Sequence, residues 1–201
     1  MASALSRGTA LARVLGLTSL RLALGPVLIW LVRGGSAGLP YVAVCLLAFA
    51  SDYFDGVFAR RFGVESARVR RYDSATDTVF FLCAAWSAWL LHAGLLRPFL
   101  GLAAAVAALE VARYLFDFAK FRREAAYHAW SAKAWGLSLF VALIALMGFG
   151  RATPWVPLAL GLGMVADAEG LVISLVLPVW THDVKSVWHA WQSRQRDRVG
   201  G

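Results

Sequence analysis

The chain has 201 residues, of which 60% are hydrophobic and only 16% are charged, and its formal net charge is +8. Soluble globular domains carry about a quarter charged residues, so this composition, with a mean hydropathy of +0.63, excludes an ordinary soluble domain. Two cysteines do not make a disulfide framework, and the absence of asparagine excludes N-glycosylation.

Apolar stretches occupy almost the whole chain. A helix that crosses a bilayer needs about 20 predominantly apolar residues. Six stretches in this sequence meet that requirement, at roughly residues 14–32, 39–59, 72–91, 98–118, 132–149 and 154–178. We therefore expect an all-α, polytopic membrane protein with six transmembrane helices.

The distribution of basic residues predicts the orientation. Lysine and arginine accumulate on the cytoplasmic side of membrane proteins. With six spans, one side of the membrane receives the basic segments 60–71, 120–133 and 185–198, whereas the other receives only Arg33, Arg97 and Arg151. Both termini are therefore predicted to be cytoplasmic, in a bacterial-type inner membrane. This topology and attraction to anionic headgroups explain the positive charge without a nucleic-acid partner.

The chain is predicted to form a single membrane-embedded domain over residues 1–201. Residues 1–16 alternate small, apolar and basic side chains, which predicts an amphipathic helix on the inner membrane surface. Residues 17–180 form the predicted six-helix bundle, and residues 181–201 form a cytoplasmic tail.

Four aspartates lie next to two very apolar segments. Asp52 and Asp55 are three residues apart near the inner end of the second span, and Asp73 and Asp77 are four apart at the start of the third. Each pair shares one face of its helix, and the two pairs lie at similar depth on adjacent antiparallel helices. Acids within membrane helices usually face partners, ions or a cavity. Four converging carboxylates predict a site for Mg²⁺ or Mn²⁺, and we expect two ions.

The residues around these acids resemble the signature of the CDP-alcohol phosphotransferases, six-span membrane enzymes of phospholipid synthesis. Seven positions agree in residue type and spacing: Asp52, Asp55, Gly56, Ala59, Arg60, Asp73 and Asp77. The opening with Thr18, Arg21 and Pro26 agrees more loosely. One position departs from the signature, because Val69 stands where the family has a glycine four residues before the third aspartate.

The resemblance implies a reaction and roles for these residues. The family transfers a substituted phosphoryl group from a CDP-linked donor, commonly CDP-diacylglycerol, to an alcohol and releases CMP. By position, Asp52, Asp55 and Asp73 would bind metal. Asp77 would accept the proton of the acceptor hydroxyl and also contact a metal. The donor nucleotide and its phosphates would be bound by Gly56, Ala59 and Arg60.

The acceptor is predicted less directly. Arg113, near the inner end of the fourth span, is either a charge partner for Glu110 and Asp117 or a ligand for an anionic acceptor. Arg113 and Lys133 lie within or at the edge of a span and favour a phosphorylated polyol such as glycerol 3-phosphate or inositol phosphate. The other expected partners are membrane lipids and, by resemblance, a second copy of the chain in a homodimer.

Three other functions remain open from the sequence. An ion or proton transporter also carries acids within its membrane helices, although these are expected near the midplane. A membrane prenyltransferase uses aspartate-rich metal sites for pyrophosphate donors, but a second such motif is expected and Asp167-Ala-Glu169 is a poor match. A non-catalytic relative is suggested by Val69 alone.

Overall fold

A computed structural model describes residues 2–36, 38–123, 127, 129–181 and 184–199. All regular structure in these residues is helical, which confirms the predicted all-α fold. The helices are α1 Ala2–Arg33, α2 Leu39–Arg61, α3 Ala67–Leu96, α4 Leu100–Phe121, α5 Trp130–Phe149, α6 Trp155–Val176 and α7 Val187–Val199. One short 3₁₀ turn, Arg97–Phe99, lies between α3 and α4.

Five helical segments are long and apolar enough to cross a membrane: Gly8–Arg33, Leu39–Arg61, Arg68–Phe121, Trp130–Phe149 and Trp155–Val176. The third contains 54 residues and includes α3, the 3₁₀ turn and α4. At about 1.5 Å per residue its helices total about 80 Å, more than twice the roughly 30 Å of a hydrocarbon core. It coincides with the third and fourth predicted spans, and the total of six spans stays a prediction.

The surfaces of these helices carry large apolar side chains that the chain itself leaves exposed. Leu82, Leu115 and Phe149 are 64%, 67% and 72% exposed. Large apolar side chains left exposed on every long helix are unusual for a soluble monomer and mark contact with lipid or a partner. The long apolar helices therefore fit an integral, multi-pass membrane protein.

Two elements differ from the expected boundaries. The helix predicted over residues 1–16 is continuous with the first span, because α1 runs without interruption from Ala2 to Arg33. Gly8 and Gly16 in this region each cost a helix about 1 kcal/mol and do not break it. Helix α7 lies in the segment that was expected to be a tail, and Ala190 on α7 is fully buried with Ile173 of α6.

The structure divides into two compact units. The first contains Met1–Ala93 and Leu143–Gly150, and the second contains Gly94–Ala142 and Arg151–Gly201. The first unit includes α1, α2 and most of α3, which carry the predicted metal ligands. The second includes α4, α6 and α7, together with Arg113 and Lys133.

Close contacts hold the three helices of the first unit together. A Cβ atom on Gly25 of α1 would lie 3.1 Å from Cys83 Sγ of α3, so a larger residue would push these helices apart. Tyr41 of α2 forms a hydrogen bond of 2.9 Å between its hydroxyl and Ser87 Oγ of α3. These contacts fix the relative positions of α1, α2 and α3 around the acids.

The end of α2 is set by a glycine. Gly63 has a φ of +60°, in the left-handed region. Its N–H bonds to Arg60 O at 3.2 Å, and the N–H of Val64 bonds to Ala59 O at 3.1 Å. This pair of bonds is the Schellman motif, which ends a helix and favours glycine at the left-handed position. The chain can then turn and begin α3 at Ala67.

Candidate functional site

The four aspartates of the motif converge on one arginine. Arg21 of α1 donates from Nη1 to Asp52 Oδ1 at 2.7 Å and from Nη2 to Asp55 Oδ2 at 2.5 Å. Nη1 also contacts Asp77 Oδ1, and Nη2 also contacts Asp73 Oδ1. Each terminal nitrogen therefore joins one acid of α2 to one acid of α3, which brings the two predicted pairs into a single cluster.

Arg21 is completely buried, although it lies within an apolar span. A charged side chain in that position is costly unless it is paired. Four negative partners supply the pairing, and the cluster of one arginine and four ionised aspartates keeps a formal charge of −3. Such an excess of negative charge makes the cluster a natural binding site for cations.

Threonine and serine hydroxyls support the site from α1 and α2. Thr18 Oγ1 lies 2.8 Å from Asp55 Oδ2, so that oxygen contacts both Thr18 and Arg21. Ser51 Oγ, next to Asp52, donates to Leu17 O at 2.6 Å and ties α2 to α1. Because Thr18 is 1% exposed and Asp55 is 4% exposed, these contacts belong to the buried side of the cluster.

The carboxylates fit a hard divalent cation. One oxygen each from Asp52, Asp55 and Asp73 can be chosen so that all three lie within 4.8 Å of one another. Carboxylate oxygens are the ligands that Mg²⁺ and Mn²⁺ prefer. Asp77 is outside this group of three and joins the cluster through Arg21. The structure therefore brings together all four predicted ligands, with three of them close enough to share an ion.

The three residues predicted to bind the donor occupy different environments. The side chain of Arg60 lies over Gly56, where a Cβ atom would be 3.5 Å from Arg60 Nη1. Ala59 is 6% exposed and packs with Val14 and Val64 in the core between α1 and the end of α2. Their role toward the nucleotide stays a prediction.

Val69, the position that departs from the family signature, lies inside the helix α3. It does not adopt the left-handed conformation that would require glycine. Its side chain lines a cleft of about 760 Å³ together with Leu15, Val64 and Tyr72. The substitution therefore leaves the α2–α3 connection undistorted and fills space in the cleft that a glycine would leave open.

Arg113 pairs with an acid on another helix. Its Nε donates to Asp167 Oδ1 of α6 at 3.1 Å, and the side chains are 20% and 2% exposed. Asp117 instead accepts from Ser174, whose hydroxyl also lies 3.1 Å from that of Tyr127. Lys133 is exposed, with Nζ 5.0 Å from the ring centroid of Trp130.

Arg21 and Thr18 had no predicted role from the sequence. Both were noted only within the loosely matching opening of the motif. One signal was available, since Arg21 is the only charged residue in the predicted span 14–32 and a lone charge in a span indicates a polar partner. Which acids would meet it depends on how α1 packs against α2 and α3.

Comparison with known proteins agrees with this site. The sequence model of the family described as CDP-alcohol phosphatidyltransferase matches residues 15–166, well over half of the chain. This range includes every residue of the aspartate cluster and its arginine. No curated protein and no solved structure matches the chain.

Proposed function

The chain belongs to the CDP-alcohol phosphatidyltransferase family, and from this membership and its aspartate cluster we propose that it transfers a phosphatidyl group from CDP-diacylglycerol to an alcohol. The family implies a CDP-linked donor and an alcohol acceptor at a membrane. The observation that carries the proposal is the convergence of four aspartates on the buried guanidinium of Arg21. These are Asp52, Asp55, Asp73 and Asp77. The proposed membrane is a bacterial-type inner membrane, with the site facing the cytoplasm.

The reaction requires one proton transfer and one displacement at phosphorus. We assign the proton to Asp77, which would accept it from the acceptor hydroxyl. The hydroxyl oxygen then forms a bond to the phosphorus that carries diacylglycerol, and the bond from that phosphorus to the CMP oxygen breaks. A general base of this kind contributes about 10²- to 10⁴-fold to a rate.

The remaining residues of the cluster bind and orient. Asp52, Asp55 and Asp73, with Asp77, would hold Mg²⁺ or Mn²⁺, and two ions suit four carboxylates. A divalent cation in this position would neutralise charge on the phosphoryl oxygens and on the departing CMP. Arg60 would pair with a donor phosphate, since a guanidinium binds phosphate through several N–H groups. Gly56 and Ala59 would leave room for the nucleotide.

We propose a phosphorylated polyol as the acceptor, with Arg113 and Lys133 as its ligands. Among the described residues, Arg113 uses only Nε in a hydrogen bond, so its two terminal nitrogens are available to an anion. A bidentate contact with a phosphate uses these two nitrogens. Lys133 is exposed and would add a second positive charge. A homodimer, expected from the family, would be visible as a doubled mass in light scattering of the purified protein.

The test is release of CMP from CDP-diacylglycerol by the purified protein. We expect release to require Mg²⁺ or Mn²⁺ and a phosphorylated polyol from a panel that also contains free polyols and amino alcohols. Asp77→Asn should reduce the rate at least a hundredfold without changing the melting temperature. The matched control is Glu65→Gln, since Glu65 is an exposed acid between α2 and α3 and its loss should leave the rate unchanged.

The same assay separates the alternatives. A prenyltransferase would release pyrophosphate from a prenyl diphosphate and no CMP from CDP-diacylglycerol. A non-catalytic relative would release neither product with any acceptor. Absence of metal-dependent CMP release across the whole panel would refute the proposed function.

A further inference from the structure

Arg21 contacts one oxygen of each of the four carboxylates. Nη1 contacts Oδ1 of Asp52 and Oδ1 of Asp77, and Nη2 contacts Oδ2 of Asp55 and Oδ1 of Asp73. Within the part of the chain that the structure describes, the second oxygen of each carboxylate accepts no hydrogen bond. The cluster therefore has four oxygens held by Arg21 and four that are free to bind something else.

The side chains of the cluster differ in their exposure. The side chain of Arg21 is fully buried, and that of Asp55 is 5% exposed. The side chains of Asp52, Asp73 and Asp77 are 42%, 37% and 36% exposed. Arg21 therefore contacts the cluster from its buried side, and three of the carboxylates extend to the open side.

We propose that Arg21 is a positioning residue that holds one oxygen of each aspartate, so that the other oxygen is presented to a divalent cation on the open side. This inference rests on the proposed metal-dependent function. Four carboxylates repel one another and would otherwise rotate apart. A guanidinium suits this task because its nitrogens are fixed in one plane, and groups that orient metal ligands typically change metal affinity by 10- to 100-fold.

A competing role for Arg21 makes the opposite prediction. If the guanidinium only occupied the place of a metal ion, or only added a positive charge beside it, then removing Arg21 would tighten metal binding, because like charges repel. If Arg21 positions the ligands, its removal weakens metal binding although a positive charge has been lost. The direction of the change in affinity therefore separates the two roles.

The experiment is a Mn²⁺ titration of the purified full chain in detergent, followed by electron paramagnetic resonance of the free ion. Arg21→Met should bind Mn²⁺ about tenfold more weakly than the wild type, or weaker still. The matched control is Arg13→Met, an exposed arginine on the same helix, which should bind as the wild type does. Binding by Arg21→Met that equals or exceeds that of the wild type would overturn the proposal.

Arg21→Lys tests the same point without a change of charge and decides the question if Arg21→Met does not fold. An ammonium group cannot place two fixed nitrogens between four carboxylates, so we expect this variant also to bind Mn²⁺ more weakly. Affinity equal to that of the wild type would contradict a positioning role.

A further variant separates failure of this inference from failure of the proposed function. Asp73→Asn should remove the Mn²⁺ binding seen in the wild type. If the wild type shows no binding that Asp73→Asn removes, both the metal-dependent function and the role of Arg21 are refuted. If that binding is present and the Arg21 variants keep it unchanged, only the positioning role is refuted.

Discussion

The ion pair between Arg113 and Asp167 predicts an asymmetric response to mutation. Asp167 is 2% exposed, and its Oδ2 has no hydrogen-bond partner among the described residues, whereas Arg113 is 20% exposed. Arg113→Met would leave a buried carboxylate without its counter-charge, which costs about 3–5 kcal/mol. Asp167→Leu leaves an arginine that can turn toward solvent, so we expect a smaller loss.

These free energies convert into measurable melting temperatures. For a chain of this length, about 1 kcal/mol corresponds to roughly 2–4 °C, so Arg113→Met should lower the melting temperature by about 6–20 °C. The double variant Arg113→Met with Asp167→Leu should melt above Arg113→Met, because replacing both charges by apolar groups removes the unpaired acid. The assay is thermal unfolding of the four proteins in one detergent, followed by tryptophan fluorescence.

The double variant also tests whether Arg113 binds the acceptor. If the proposed role is correct, KM for the phosphorylated polyol stays raised in the double variant although its stability has recovered. If Arg113 only pairs with Asp167, KM recovers together with stability. A buried, energetically important ion pair is refuted if Arg113→Met melts within about 2 °C of the wild type, or if the double variant is no more stable than Arg113→Met.

Two further changes test the buried side of the aspartate cluster and the end of α2. Thr18→Val keeps the shape of Thr18 but removes its contact with Asp55, a hydrogen bond to a charged group worth about 1.5–3 kcal/mol. We expect CMP release to fall about ten- to a hundredfold, with Thr18→Ser close to the wild type. Gly63→Ala should cost about 1–2 kcal/mol in thermal unfolding because of the left-handed φ at Gly63. Gly101→Ala, at the second residue of α4 and with open space around it, should instead be neutral or stabilising.

The all-α fold and the positions of the long apolar helices were predictable from the sequence. The starts and ends of α2 and α5 follow the predicted spans closely, because long apolar runs bounded by polar loops leave few alternatives. Helix α7 was missed for the opposite reason, since its sequence is polar and carries no long apolar run. Its helical state is accompanied by burial of Ala190 against Ile173, a tertiary contact that local sequence does not reveal.

Side-chain partners across helices were the least predictable part of the site. The spacing of Glu110, Arg113 and Asp117 on one helix face left two roles open for Arg113, pairing with these neighbours or binding an anionic acceptor. The structure pairs it with Asp167, 54 residues away in the chain. Arg21 shows the same limit, because its four partners lie between 31 and 56 residues away. Spacing within one helix predicts which side chains share a face and leaves open which other helix that face meets.

The meeting of the two aspartate pairs follows from the connection between their helices. Asp55 lies six residues before the end of α2, and Asp73 lies six residues after the start of α3. Asp52 and Asp77 lie nine and ten residues from the same two ends. At about 1.5 Å per residue, helices joined by a short turn place each acid at nearly the same height as one acid of the other helix. These are the two pairs that Arg21 joins, Asp55 with Asp73 and Asp52 with Asp77, so the turn at Gly63 determines which carboxylates one guanidinium can hold together.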